Sequence, residues 1–538
     1  MIEAQDDQTF WDEVEAYCGR LSIKAGQSVP LHVSTICDQF EVMVERWGAE
    51  RTVVWRSEPQ PGHRFPVPDD ASAAGCDWPV ALTIPTGTTW PSGFYLVTIT
   101  GGGAQRGRDT SYACFVVRPE SSASQASAVL VLATNTWNAY NTWGGRSLYT
   151  GGHQVSFRRP FGRGLLCRPE TERDDRKARP VYSGEAADAD GEIFQQYRTT
   201  HGYPSAIGSA GWFTHERRFV EWAEAGGYRF DMAVSSDFVD DPHLLDGYKT
   251  VMSVGHDEYW TRGGRDAIDT HIAGGGRFAS FSGNTMFWQV RPVAAAADPT
   301  DHSAAMVCYK YAAHEHDPVL ASDPELMAGM WCDPVVNRPE WSTLGAGSAF
   351  GLYHRFGQAT PYGVGGFLVV DPEHWLFAHT GLGYGDVVGR DDGVVGYETV
   401  GTAITFDEQQ CLVAAPLAGQ APEVEIAGFT LSSNLGVGDY PKSIAALSDQ
   451  GDLEFVASRY FAQGGEVSDQ HRARARRGNA VMLTCRPFGP EGGEVVTIGT
   501  TDWVFGLGGD QPVQQITANV LDRFGLDRDD EPQSASPQ

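Results

Sequence analysis

The chain has 538 residues, 41% of them apolar and 20% charged, with a net charge of −29; this marks a globular protein of two or three domains at roughly 150 residues each and excludes a disordered one. The acid excess argues against nucleic acid and anionic membrane as partners, because both are held by clustered cations. No run of 18 apolar residues and no hydrophobic leader segment occur, so neither a transmembrane helix nor a signal peptide is expected. Nine cysteines, with no Cys-x-x-Cys pair, point to reduced thiols and a cytoplasmic location rather than to a disulfide framework or a zinc ribbon.

Residues 1–120 read as a β-sandwich domain of immunoglobulin-like type. Thr9 to Tyr17 looks helix-like. Beyond it the chain alternates with period two: Val29, Leu31 and Val33; Phe40, Val42 and Val44; Val80, Leu82 and Ile84. Turn residues such as Pro59-Gln60-Pro61-Gly62 and Pro91-Ser92-Gly93 separate these runs, as in an antiparallel sandwich. A last strand near Tyr112 to Val117 precedes a small, polar linker over 121–127.

From 128 to 527 the pattern becomes that of an α/β domain, with a mostly parallel sheet covered on both faces; 528–538 reads as a disordered tail. Ala128 to Ala133 is a continuous apolar run, as a buried parallel strand requires. Glu216 to Ala225 forms a helix that stops at Gly226-Gly227, and strands come next at Arg229 to Val234 and Thr250 to Val254. Thr261 caps a helix whose Ile268 and Ile272 point inward and which ends at Gly274-Gly275-Gly276. Arg277 to Ser282 is the next strand.

Ligands of such sheets sit beyond the carboxyl ends of the strands. There this sequence places Asn138-Ala139-Tyr140-Asn141, then Tyr149, then Gly255-His256-Asp257-Glu258-Tyr259-Trp260, then Gly283-Asn284. A His, an Asp and a Glu at a buried strand end are costly unless paired or ligating. No Ser or Cys occupies the turn, so a covalent nucleophile elbow is disfavoured. A general acid/base site, a metal site and an inactive enzyme-like fold stay open. Asp257 and Tyr259 read as structural. His314-Glu315-His316 and the run Arg472 to Arg477 read as solvated or salt-bridged loops, and Glu340 as a surface or helix-start residue. The mixed-charge stretch Cys167 to Ala187 reads as a surface excursion, a lid over the site.

Several motifs together resemble one family. Asn138-Ala139-Tyr140-Asn141, Ser156-Phe157-Arg158-Arg159-Pro160, Gly255 to Trp260, Gly283-Asn284-Thr285-Met286-Phe287-Trp288, Gly396-Tyr397-Glu398, Gly499-Thr500-Thr501-Asp502-Trp503 and Ile516 to Leu521 are similar to the large, catalytic subunit of N,N-dimethylformamidase and its homologues. The resemblance runs from Ala128 to about Leu526, and Glu15-Ala16-Tyr17-Cys18 resembles the start of that family's sandwich. It implies an α/β domain like the class I glutamine amidotransferases without their cysteine. It also implies hydrolysis of a small N-substituted amide to acid and amine. The implied cofactor is one mononuclear non-haem iron, Fe(III), held by Tyr140, Tyr149 and Glu258. His256, Asn284, Glu398 and Lys310 match further active-site positions. Two phenolates and a carboxylate suit a hard trivalent cation. His256 would then pass a proton to the amine, Asn284 would donate to the oxyanion, and Glu398 would hold or deprotonate the water. Another formamide or a cyclic amide as substrate, or a non-catalytic binding protein on the same fold, are the alternatives. The chain is shorter than that large subunit, which pairs with a small subunit; a homo-oligomer or such a small partner is expected.

Overall fold

Val29, Leu31 and Val33 are all buried on the Val29–Thr35 strand, as their alternation with less buried neighbours demands. The computed structural model describes residues 12–102, 109–119, 126–168, 192, 196–204, 206–241, 243–295, 301, 303–353, 358–359, 365–434 and 451–528. Val29–Thr35 pairs antiparallel with Val14–Cys18 and Val80–Ile84 in a three-stranded sheet. Facing it is a six-stranded sheet, in the order Ser22–Lys24, Thr110–Arg118, Gly93–Gly102, Gln39–Trp47, Arg51–Arg56, with Gln60–Pro61 beside Gln39–Trp47. One core joins the two sheets: Val29, Leu31 and Val33 from the first meet Val42, Val44, Val97, Ile99 and Phe115 from the second. The stretch read as helix-like is a strand from Val14 onward. All five of its residues are buried, Glu15 included, so its burial shows no period-two alternation; pairing with Val29–Thr35 sets it as a strand. Most of the 121–127 linker and the tail beyond 528 lie outside the described residues.

The other face of the six-stranded sheet is buried too. Phe94, Leu96, Cys114 and Val116 merge with the core of the α/β part. Phe94 stacks on Trp212 at 3.9 Å between ring centroids, with the planes 8° apart. Around this stack Arg46 makes a forked pair with Glu224, at 2.7 and 3.0 Å. The Trp47 indole N–H donates to Glu221 at 2.9 Å.

The second large sheet is mixed. Asp231–Val234, Ala128–Leu132, Thr250–His256, Arg277–Gly283 and Val495–Ile498 run parallel in that order. Arg477–Cys485, Glu425–Ser433, Phe367–Val369 and Val387–Val388 then extend it antiparallel, and Gln358–Ala359 also pairs with Glu425–Ser433. The expected mostly parallel sheet is therefore corrected: half of it is antiparallel. Arg477–Cys485 is buried at eight of nine positions, so its apolar run looks like a parallel strand although it is not one.

Alternate residues of the central strands feed two cores. Leu130 and Leu132 pack with Phe219, Val220, Val513, Ile516 and Val520 on one side. Val129 and Val131 pack with Ile268 and Ile272 on the other. The helices responsible are Glu216–Ala225 and Gln511–Arg523 on the first face and Arg262–Ala273 on the second. Thr261 caps the last of these as expected, its hydroxyl accepting from the Gly264 amide at 3.0 Å. Thus mixed sheets with many strands and few helices make up the described chain, and none of its helices is long and apolar enough to cross a membrane. All nine cysteines are free thiols.

Trp212 is fully buried where the sandwich meets the mixed sheet. We expect Trp212→Ala to lower stability by about 3–5 kcal/mol in denaturant titrations, the usual cost of emptying a large aromatic site. Tyr384→Ala, at a ring that is 77% exposed, should change it by less than about 0.5 kcal/mol.

Candidate functional site

The site forms where the parallel strands end. After Ala128–Leu132 the chain enters the two-turn helix Thr134–Tyr140, so Tyr140 lies at a helix end beyond the strand. The chain then doubles back: the Leu148 amide donates to the Ala139 carbonyl at 3.1 Å. This sets Tyr149 beside Tyr140, their rings stacked at 4.2 Å and 25°. Buried Arg159 holds the turn, donating to the Trp143, Asn141 and Ser156 carbonyls and to Asn138 Oδ1. This gives the Ser156 to Pro160 motif a structural reason.

Thr250–His256 ends on His256 itself. Gly255, one residue earlier, has φ +77°, and a Cβ there would lie 2.3 Å from Cβ of His215. Only glycine meets both constraints without strain. The turn is then fixed by Thr136, whose hydroxyl accepts from the Glu258 amide at 2.9 Å, and by Asn135, which donates to the Tyr259 carbonyl at 3.2 Å.

Glu258 is the meeting point. The Tyr149 hydroxyl donates to its carboxylate, 2.7 Å from Oε1 and 2.6 Å from Oε2. The Tyr140 hydroxyl donates to Oε2 at 3.2 Å, and the Trp288 indole N–H to Oε1 at 2.7 Å. His256 Nε2 lies 3.4 Å from Oε2 and 2.6 Å from Glu398 Oε2. Its Nδ1–H is committed to the Ser209 carbonyl at 2.7 Å, because a carbonyl can only accept. Asn284 Nδ2 donates to Glu398 Oε2 at 2.6 Å; that N–H orients Glu398 rather than pointing toward a developing oxyanion. Lys310 Nζ stands 3.2 Å above the centre of the Tyr149 ring, with Tyr311 and Trp288 at 4.9 and 5.3 Å. The structure therefore gathers Tyr140, Tyr149, Glu258, His256, Asn284, Glu398 and Lys310 in one place.

The electrostatics follow from burial. Desolvation, then the charges of Glu258 and neighbours, push the Tyr140 and Tyr149 phenols well above their ordinary value of 10. Both phenols therefore stay protonated at neutral pH unless a cation displaces the proton. Burial first and the Glu398 charge second raise the Glu258 carboxyl. Burial alone would pull the His256 imidazole down, but Glu398 and then Glu258 outweigh it, and His256 is pushed up to about 9. Asp257, raised to about 7 by burial, turns away from this cluster and accepts from Ser253 at 2.5 Å.

Two donor sets overlap here. Tyr140, Tyr149 and Glu258 offer three oxygens. His256, Glu258 and Glu398 have ligand atoms within 4.8 Å of one another, and they form the one such His, Cys, Asp and Glu group among the described residues. Two side chains with no role assigned from the sequence join the site: Trp288, and Tyr397, whose hydroxyl is 3.5 Å from that of Tyr140 and whose ring is edge-on to His256 at 5.3 Å. Each sits in a motif beside an assigned residue, but nothing in its spacing signals a contact.

Other sequence expectations fall elsewhere. His314 is on the short helix Ala313–His316 and pairs with Asp333 at 2.8 Å, away from the cluster. Glu340 does begin a helix but is fully buried, not at the surface, and burial raises its carboxyl to about 8. The basic run is largely the helix Asp469–Arg476 and not a loop; Arg472 pairs with Glu454 at 3.0 Å and with Asp469 at 3.3 Å. Of the expected lid, Cys167 and Arg168 alone lie within the described residues.

Residues 41–517 match the family described as N,N-dimethylformamidase beta subunit-like, C-terminal. The N,N-dimethylformamidase beta subunit of an Alcaligenes species is 35% identical over 72 residues, which is 13% of this chain and 9% of that subunit. The match thus spans less than a tenth of the curated relative's length. Two solved structures align at TM-scores too low to establish a shared fold. One, described as the structural basis of T cell specificity and activation by the bacterial superantigen toxic shock syndrome toxin-1, scores 0.14 at 14% identity, over 19% of this chain and 97% of that one. The other, the two tandem V-type regions of a v-region-containing chitin binding protein, scores 0.15 at 12% identity, over 22% and 59%.

A histidine raised from 6.5 to about 9 stabilises the fold fully below pH 6.5 and loses that contribution as the pH rises through 9. In the metal-free chain we expect the thermal midpoint to fall more steeply over this window than in Glu398→Gln, and the His256 ring resonances to move within it. A His256 that titrates below pH 6.5 would contradict the arrangement.

Proposed function

The chain belongs to the N,N-dimethylformamidase beta subunit-like family, and we propose that it is a metal-dependent hydrolase of the C–N bond of a small N-substituted amide, with one Fe(III) held by Tyr140, Tyr149 and Glu258. The observation that carries this reading is the convergence of two phenol oxygens on one buried carboxylate, at 2.6 and 3.2 Å from Glu258 Oε2. Three hard anionic oxygens suit a hard trivalent ion, and their ionised charges would balance it. Such an ion would supply Lewis acidity toward the amide carbonyl and lower the pKa of water at the site.

The chain's own groups account for the protons. Hydrolysis sends the oxygen of water to the acyl carbon and a proton to the departing nitrogen, since amines leave poorly unless protonated. Glu398, oriented by Asn284, takes the proton from the attacking water. His256, 2.6 Å from Glu398, passes a proton on to the amine. Its Nδ1 bond to Ser209 keeps Nε2 directed at this relay. The Lys310 ammonium above the Tyr149 ring favours negative charge on that phenol.

The same reading takes the sheet to be related to the class I glutamine amidotransferases, without their cysteine. Five parallel strands and a strand-end turn that lacks Ser and Cys support it. The curated relative is a beta subunit, which supports a second subunit or self-association for this chain. A second reading, favoured by the His256, Glu258 and Glu398 cluster, places a divalent ion on one imidazole and two carboxylates. Dimethylformamide is the first substrate to try, and a panel of formamides and cyclic amides sets the class.

The test is elemental analysis, visible absorption and amine release on the full chain. We expect one iron with a tyrosinate charge-transfer band. Tyr140→Phe and Glu258→Gln should lose iron affinity by more than about 100-fold, beyond what outer-shell changes do. His256→Gln should keep iron and lose about 10²–10⁴ in kcat. A metal that binds without the band and survives Tyr140→Phe would overturn the phenolate set in favour of the second reading.

A further inference from the structure

Trp288 touches Glu258 twice. Its backbone amide donates to the Glu258 carbonyl at 2.9 Å, and its indole N–H donates to Glu258 Oε1 at 2.7 Å. The ring is 1% exposed. It is held by Phe287 at 4.6 Å and by Tyr311 and Phe455 at 5.6 Å each. An indole N–H donates only and cannot ligate a metal. The two carboxylate oxygens of Glu258 are therefore not equivalent. The Tyr149 hydroxyl reaches both, but Oε1 alone also receives the Trp288 indole, whereas Oε2 also faces Tyr140 and His256.

We infer that Trp288 is a positioning residue that reserves Oε1 of Glu258, so that Glu258 offers a cation Oε2 alone and leaves the remaining positions for water and substrate. This rests on the metal reading of the site. The packed aromatic shelf keeps the indole from swinging away, so the constraint exists before any ion arrives, which is what preorganisation requires. A carboxylate without this clamp can rotate and give both oxygens to the same ion. It would then occupy a position that the reaction needs.

The experiment compares wild type with Trp288→Phe, which removes the N–H but keeps an aromatic ring. A second variant replaces Trp288 with benzothienylalanine, which keeps the bicyclic shape and puts sulfur where the N–H was. This variant carries the test if the phenylalanine variant does not fold. Each is loaded with Fe(III), titrated with a competing chelator, and studied by visible and infrared spectroscopy. We expect about 10–100-fold weaker iron retention, the usual cost of losing an outer-shell donor. The tyrosinate band should persist, and the gap between the two carboxylate stretches of Glu258 should narrow toward that of a two-oxygen ligand. Iron retention within twofold of wild type, with unchanged carboxylate stretches, overturns the clamp and leaves the metal reading standing. A wild type that takes up no Fe(III) removes both.

Discussion

Burying the carboxylate of Glu258 costs several kcal/mol unless its lone pairs are met. Much of the surrounding chain is arranged around meeting them. Tyr140 and Tyr149 come from a helix end and a returning loop. Trp288 comes from the start of the strand Trp288–Val293, and His256 from two residues before Glu258. With Lys310 and His256 as cations and Glu258 and Glu398 as anions, the cluster is near neutrality without a metal. Ionising both phenols would add two negative charges in a largely buried site, which burial opposes. A multivalent cation is the natural counterweight, and this is the physical link between the arrangement and the proposed chemistry.

The backbone bears part of the cost. Asn284, Met286 and Lys310 all take positive φ, at 51°, 60° and 48°. Met286 and Lys310 lack the short polar side chain that eases this conformation in Asn284, and each such residue typically costs about 1–3 kcal/mol. The turn carrying Asn284 and Met286 persists because the Met286 amide donates to the Asp257 carbonyl and the Trp288 amide to the Glu258 carbonyl. The turn after Arg277–Gly283 is thereby zipped to the turn after Thr250–His256. Gly283 completes the approach: a Cβ there would meet the Glu398 carbonyl at 2.2 Å. Glu398 is brought to the strand ends by this contact, although it lies far away in sequence.

The legible part of the sequence consists of features with a local cause. The Thr261 cap, the Gly226-Gly227 stop and the apolar run Ala128 to Ala133 each depend on a few neighbouring residues, and each is found in the fold. The paired cores follow from the same runs. Features set by distant packing were not legible. Val14–Cys18 is buried throughout and so lacks a strand's alternation. Glu340 is flanked by Pro339 and Trp341 and gives no hint that it is fully buried. The antiparallel half of the large sheet is made by pairings between strands that long stretches of chain separate, such as Phe367–Val369 and Arg477–Cys485 on either side of Glu425–Ser433. For the site itself, strand-end logic and motif resemblance named the candidate ligating and titrating residues. The indole clamp and the Tyr397 contact depend on side-chain direction, which spacing alone does not encode.

The two buried glutamates show how one cavity can hold like charges in different states. Glu258 receives hydroxyl and indole donors that carry no net charge, so its stabilisation survives only if those groups stay neutral or a cation replaces their protons. Glu398 receives the Asn284 amide and shares the His256 imidazole, whose protonation it sustains. His256 lies between them, nearer to Glu398, with contacts of 2.6 and 3.4 Å. That asymmetry biases a mobile proton toward the Glu398 side. It leaves Glu258, whose carboxyl burial raises, as the carboxylate that hydroxyl and indole donors hold static and that a bound cation would keep ionised. One acid suited to exchanging protons and one suited to holding charge are what a hydrolytic site needs. Here the difference arises from the neighbours of the two glutamates alone.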